Sequence, residues 1–184
     1  MTERLIGSYS TNTLFYGSPV AHNWDQVGLV NYVVEAYDVK TFIEIGSFFG
    51  GLFMYFAPRA FLYDDFKCIG VEISDGMSRV SHHLRKLPAR CCVINGDCFA
   101  PNVAARIVKE IHETKGRALL YCDGGNKAKE CIVFGPNLRS GDFLMAHDLN
   151  CEYKMEDLSP VLPLFGPLDG ASDHIVHQLT LVKK

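Results

Sequence analysis

Apolar and polar residues are arranged in blocks along most of this chain. From about residue 28, short β-branched or apolar runs are followed by longer segments whose apolar positions recur at helical spacing, the pattern of a parallel sheet wrapped by helices. The runs are TFIEIG (41–46), KCIGVEI (67–73), CCVING (91–96), RALLYCD (117–123) and DFLMAHD (142–148). Each is short and nearly continuous, as a strand covered on both faces requires. Helices are predicted at about 51–58, closed by Pro58, and at about 76–86, with Met77, Val80, Ser81 and Leu84 on one face. Two more are predicted at about 102–114, opened by Pro101, and at about 126–134, stopped by Gly135-Pro136. A further helix is expected over about 25–37, before the first run. After Asn150 the pattern predicts a short helix at about 155–163, a Pro/Gly-rich loop at about 164–171 and a final alternating strand, HIVHQLTLV.

Strands in regular alternation with helices, each return right-handed, give an α/β fold with a doubly wound, mostly parallel, Rossmann-like sheet. With 184 residues, 48% hydrophobic and 21% charged, the chain suits one domain over 1–184. Residues 1–24, polar and glycine-containing, are expected to form a flexible arm or a lid. The formal charge of -3 leaves no basic excess for a phosphate backbone, so a nucleic-acid partner is not expected. No apolar run is long enough to span a bilayer and no signal peptide opens the chain, so the expectation is a cytoplasmic protein without a membrane partner. Seven cysteines, an odd number with no CxxC pair, read as reduced thiols.

In such a sheet, ligands bind at the carboxyl ends of the strands. The first end reads Glu44-Ile45-Gly46-Ser47-Phe48-Phe49-Gly50-Gly51. Gly46 suits a tight turn, and Gly50 and Gly51 suit close approach of a ligand to the start of the next helix. Phe48 stands where a dinucleotide fingerprint needs its second glycine, which disfavours a pyrophosphate and with it a nicotinamide oxidoreductase. Glu44 at a buried strand end calls for a partner. Glu72, followed by Ile73 at the second strand end, is placed to accept both hydroxyls of a ribose. Asp97, before Cys98 and Phe99 at the third, either accepts from an adenine amino group or caps the following helix.

These segments resemble class I S-adenosylmethionine-dependent methyltransferases, closest to the group of cephalosporin hydroxylase and rhamnosyl O-methyltransferase and to the catechol O-methyltransferase-like enzymes. The run EIGSFFGGLFMYFA (44–57) looks like their motif I, and GVEIS (70–74), INGDC (94–98), LLYCDGGNK (119–127) with Glu130, and SGDFLMAHD (140–148) follow in register. The resemblance implies S-adenosylmethionine with its methionine end at Gly46–Gly51, its ribose at Glu72 and its adenine near Asp97 and Cys98. It also implies a divalent metal, magnesium or a transition ion, at Asp123, His147 and Asp148, with Asn150 as a further oxygen donor. His147 departs from the pattern, because the family usually has a carboxylate there, and imidazole favours transition ions over magnesium.

The implied reaction is O-methylation of a small hydroxylated acceptor. Without a metal, His147 is the natural general base, with Asp123 its neighbour at the site, and Lys127 is a second nominee whose other reading is a solvated helix residue. Glu130 is expected to pair with Lys127 on the helix surface. His82-His83, His174 and His177 are read as structural. The tail after Asn150 is shorter than in the resembling enzymes, which suggests a fold truncated at its C-terminal end or completed by a second subunit as a homo-oligomer. The alternative function is a catalytically inactive S-adenosylmethionine-binding or regulatory module.

Overall fold

A computed structural model describes residues 14–15, 18–74, 87–168 and 177–184. The short strands β1 (Leu14–Phe15) and β2 (Ser18–Pro19) form a hairpin ahead of helix α1 (Trp24–Ala36). There follow β3 (Val39–Ile45), α2 (Gly51–Phe56), α3 (Arg59–Leu62), β4 (Lys67–Glu72) and β5 (Cys91–Asn95). The second half contains α4 (Pro101–His112), β6 (Arg117–Cys122), α5 (Lys127–Phe134), β7 (Phe143–Ala146), β8 (Phe165–Pro167) and β9 (Leu179–Lys183).

Seven strands form one sheet in the order β5-β4-β3-β6-β7-β9-β8, with the first five mutually parallel and β9 antiparallel to both of its neighbours. The chain winds outward from β3 through β4 to β5, then returns to β6 on the other side of β3. This reversal opens a crevice beyond the carboxyl ends of β3 and β6, the place where doubly wound sheets bind ligands. The register levels those ends, with Ile45 beside Val71 on one side and Cys122 on the other.

Strand periodicity sorts the core into two layers. Phe42, Leu119, Tyr121, Phe143 and Met145 face the layer built with Val30, Val33, Val34, Phe53 and Phe56. Ile43, Ile45, Leu120, Cys122 and Leu144 face the opposite layer, with Ile107, Ile111 and Phe134. All seven cysteines are free thiols, and six of them, all but Cys151, lie inside or beside these layers. Among the described residues no helix is long and apolar enough to cross a membrane.

The central elements match the apolar pattern closely, while several details differ. The helix predicted at 51–58 ends at Phe56, and a separate short helix, α3, follows Pro58. The helix predicted at 76–86 lies outside the described residues, as do most of the arm at 1–24 and residues 169–176 of the tail. The helix expected at 155–163 is instead two 3-10 turns, Met155–Leu158 and Leu162–Leu164. Pro160 and Pro163 remove two amide donors within that span, which prevents a continuous α-helical ladder. The loop expected at 164–171 contains β8, whose Gly166 and Pro167 are tolerated because β8 lies at the sheet edge.

Candidate functional site

The carboxyl ends of β3, β4, β5, β6 and β7 enclose a cleft of ≈ 480 Å³, within the range of small-molecule and cofactor sites. Gly46, Phe48, Glu72, Ile73, Asp97, Cys98, Asp123, His147 and Asp148 line it, while Glu44, Ser47, Gly50, Gly51 and Lys127 are not part of the lining. Gly46 adopts a φ of 83° and has Gly124 so close that an added Cβ would lie 2.5 Å from its Cα, so the β3 and β6 turns meet only because Gly46 has no side chain. Gly51 is needed for a different approach than the one expected from the motif: an added Cβ would strike the backbone of Pro19 and Val20, and so β2 packs directly on the start of α2.

One wall carries a fixed carboxylate. Phe48, in the left-handed region at φ 51°, donates its amide to Glu72 Oε2 at 2.5 Å, and Ser74 donates its amide to Glu72 Oε1 at 2.8 Å. Both carboxylate oxygens are thus held in place while each keeps acceptor capacity. Phe48 and Ile73 flank Glu72 with 52% and 73% of their surfaces exposed, an apolar pair left open beside a fixed acceptor. Asp97 accepts the Phe99 amide at 2.9 Å within its own turn and does not cap the following helix, whose N-cap is Ala100 without a side-chain bond. Phe99 stacks on Phe134 and carries the Lys129 ammonium 4.0 Å above its ring.

Two buried acids belong to this region, Glu130 in the lining of the cleft and Glu44 outside that lining. Glu44 is 1% exposed, and burial, followed by the charge of Asp123, pushes its pKa up to about 8. Its Oε2 has no hydrogen-bond partner among the described residues. Glu130 does not pair with Lys127 on the helix surface as expected. It is buried and reaches back to accept the amides of Gly124 at 3.1 Å and Asn126 at 3.2 Å. Burial outweighs those two bonds and pushes its pKa up to about 7.

The polar centre joins the ends of β6 and β7. Asp123 Oδ1 lies 3.2 Å from His147 Nδ1, and Asp123 Oδ2 lies 2.9 Å from Nε2 of His22. Burial alone would raise the Asp123 pKa, but the two histidines prevail and hold it well below the usual carboxylate range. Asp148, in the left-handed region at φ 61°, places Oδ2 3.2 Å from His147 Nδ1. Lys127 is no solvated residue. It is 6% exposed, and its Nζ lies 3.5 Å from Asp123, 3.3 Å from Asp148 and 2.7 Å from Glu152. Burial disfavours the ammonium, yet the Glu152 bond and the charges of Asp123 and Asp148 keep its pKa above that of an ordinary lysine. Lys127 therefore acts on the cleft through the carboxylates it holds.

His147 is oriented from α1. Asn23 and Gln26 form a capping box in which Gln26 Oε1 accepts the Asn23 amide at 3.0 Å. The Gln26 NH2 group consequently faces His147 Nε2, 2.6 Å away, so Nε2 is the acceptor and the neutral ring carries its proton on Nδ1, toward Asp123. Burial works against the imidazolium, but the bond to Asp123 and the charges of Asp123 and Asp148 leave the His147 pKa raised.

His22, Gln26 and Glu152 did not emerge from sequence reasoning. Gln26 had a readable signal in the N-x-x-Q spacing of its capping box. Lys127 and Glu130 also had one, since Lys127, Glu130, Cys131 and Phe134 share the buried face of α5 at i, i+3, i+4, i+7. His22 had none, because its position depends on how the β1-β2 hairpin docks.

Comparison with known proteins places this geometry. The family model "Rhamnosyl O-methyltransferase/CmcI" matches residues 7–173. Among solved structures, an apo form of CmcI superposes with a TM-score of 0.71 at 14% identity, covering 100% of this chain and 81% of that one. CmcI with Mg and SAM gives a TM-score of 0.66 at 16% identity, covering 100% and 82%. The O-methyltransferase TomG from Streptomyces achromogenes, in complex with SAM, gives 0.54 at 15% identity, covering 90% and 83%. No curated protein sequence matches the chain.

Proposed function

Since the chain belongs to the rhamnosyl O-methyltransferase/CmcI family of methyltransferases, we propose that its cleft binds S-adenosylmethionine and transfers the methyl group to a hydroxyl of a small acceptor. The observation that carries this reading is Glu72, fixed by the Phe48 and Ser74 amides between two exposed apolar side chains. That arrangement suits a ribose, whose two hydroxyls donate to a carboxylate while the attached base rests on Phe48 and Ile73. The bound donor supplies an electrophilic methyl on a sulfonium. The protein must bring an acceptor oxygen in line with it and remove the hydroxyl proton.

His147 is assigned the proton transfer, because it lines the cleft and its Nδ1 faces the Asp123 carboxylate, which stabilises the imidazolium that forms. Asp123 orients the ring and stabilises its charged form. Both ring nitrogens are engaged in the resting arrangement, so an acceptor hydroxyl takes its place at Nε2 by displacing the Gln26 amide. Lys127 positions Asp123 and Asp148.

The donor set bears on any metal. Magnesium seeks near-octahedral oxygen ligands. Here Asp123 and Asp148 are the carboxylates at the family position, both lie within 3.5 Å of the Lys127 ammonium, and the residue between them along the cluster is an imidazole. A nitrogen-binding transition ion suits these residues better than magnesium.

The test is calorimetric titration of S-adenosylhomocysteine into wild type and Glu72→Ala, followed by transfer of labelled methyl to a panel of hydroxylated acceptors. Loss of hydrogen bonds to a charged group is worth about 1.5–3 kcal/mol, so Glu72→Ala should weaken binding by at least about tenfold. Equal binding in both proteins would remove the nucleoside reading. A second reading, a cofactor-binding module without turnover, is favoured by the engagement of both His147 nitrogens, and donor binding with no methyl product from any acceptor would select it.

A further inference from the structure

The segment before α1 places a histidine in the polar centre, and that histidine lacks the hydrogen bonds a buried imidazole normally makes. The His22 side chain is 5% exposed, and neither ring nitrogen has a hydrogen-bond partner among the described residues. Its Nε2 stands 2.9 Å from Asp123 Oδ2, at ion-pair distance. One donor atom each from His22, Asp123 and His147 lies within 4.8 Å of the others. We propose that His22, Asp123 and His147 form a binding site for a divalent first-row transition ion of the zinc or iron(II) class, with His22 delivered by the N-terminal segment.

Two imidazoles and one carboxylate are the donor set that holds such ions while leaving coordination positions open. An oxygen-rich alternative through Asp148 is less favourable, because Asp148 Oδ2 is already opposed by the Lys127 ammonium at 3.3 Å. That ammonium also approaches Asp123, but on Oδ1, whereas His22 approaches on Oδ2. Asp148 and Glu152 offset its charge locally, with Glu152 at 2.7 Å. His22 and His147 have ring centroids 4.9 Å apart and tilted planes, so their edges converge on Asp123 without stacking.

Gln26 supplies the outer support that a metal-bound histidine needs. For His147 to ligate through Nδ1, its proton must move to Nε2 and find an acceptor. A half-turn of the Gln26 amide presents Oε1 to Nε2 at the existing 2.6 Å spacing, at the cost of the bond to the Asn23 amide. Metal binding is therefore coupled to the α1 cap. A glutamate at position 26 would accept from both groups at once, so Gln26→Glu should strengthen binding while Gln26→Leu weakens it.

The proposal goes beyond methyl transfer and describes the metal-loaded protein, in which Nε2 of His147 carries the proton and the ring is no longer the base assigned above; metal binding can be read without any methyl donor. The experiment is calorimetric titration of metal-stripped full chain with zinc and with magnesium, and cobalt(II) absorption spectroscopy to report nitrogen ligation. A Cys151→Ser background removes a competing surface pair, Cys151 Sγ and His177 Nδ1, 3.2 Å apart. Zinc should bind one to one, and magnesium far more weakly. His22→Ala and the milder His22→Gln should each weaken zinc at least about tenfold, by more than Asp148→Asn does, with unfolding midpoints confirming that the variants fold. Gln26→Glu should bind at least as tightly as wild type. The proposal is overturned by zinc binding indifferent to both His22 variants in folded protein, by magnesium binding as tight as zinc and lost in Asp148→Asn, or by no stoichiometric binding.

Discussion

Replacing Glu44 by glutamine tests the electrostatics of the strand crossing with little change in shape. Glu44 is fully buried beside Asp123, and its pKa rises from an ordinary 4.5 to about 8. The folded state therefore keeps the proton over a range in which the unfolded chain has released it. The unfolded state binds fewer protons there, so stability falls as pH rises. The loss begins near pH 4.5 and is complete near pH 8, and a gap of about 3.5 pH units at about 1.4 kcal/mol each amounts to about 5 kcal/mol. Glutamine keeps the size and a neutral head group and removes this dependence. In urea unfolding followed across the same pH window, wild type and Glu44→Gln should be similar at the acid end, and the variant should gain several kcal/mol relative to wild type at the alkaline end. Contributions from other titrating groups are largely shared and cancel in the difference. Parallel stability curves, separated by the same amount at every pH, would refute the claim that Glu44 is held protonated.

Three further outcomes follow from the same contacts. Gly51→Ala should destabilise the fold by about 2 kcal/mol, because its Cβ meets the backbone of Pro19 and Val20, and an unchanged melting temperature would show that β2 does not dock on α2. Lys127→Met should cost about 3 kcal/mol by leaving Asp123, Asp148 and Glu152 without their shared ammonium, with chemical denaturation as the check and neutrality as the contrary result. By NMR titration the His147 imidazole should have a pKa above its ordinary 6.5 and fall in Asp123→Asn. The stabilisation it contributes should accordingly be present in acid and lost as pH rises through the raised value.

The central strands were legible in the apolar pattern because a parallel strand buried on both faces must be a short, unbroken apolar run, as in TFIEI and KCIGVE. The acids at their ends were legible for the same reason, since Glu44, Glu72 and Asp123 interrupt or close runs that otherwise avoid charge. What lay beyond reading depends on contacts between distant segments. The residues between Ser18 and Asn23 resemble any polar arm until Gly51 lets β2 sit on α2, and only then does His22 meet Asp123, one hundred and one positions away. The strand β8 was obscured by its own chemistry, because Gly166 and Pro167 signal a loop everywhere except at a sheet edge. Lys127 and Glu130 were misjudged by residue type: their spacing put them on the apolar face of α5, and their charge suggested water.

The acids around the strand crossing do not carry their charges independently. Asp123 is held ionised by His22 and His147, while Glu44 and Glu130 are pushed toward neutrality by burial and, in both cases, by the charge of Asp123 itself. The fold thus concentrates buried negative charge on one carboxylate at the point where the chain reverses direction, and surrounds it with imidazoles and an ammonium. Environments that separate the pKa values of neighbouring groups in this way assign them different chemical roles. Asp123 is the acceptor for the imidazole and ammonium groups around it, and Glu44 and Glu130 are neutral or nearly neutral supports beside it. Removing the Asp123 charge would relieve the repulsion that keeps both glutamates protonated, so their pKa values should fall in Asp123→Asn. The net negative charge of the site would then fall by less than one unit, and any residual cation binding in that variant should become sensitive to pH below about 7 to about 8, where Glu130 and Glu44 titrate in wild type.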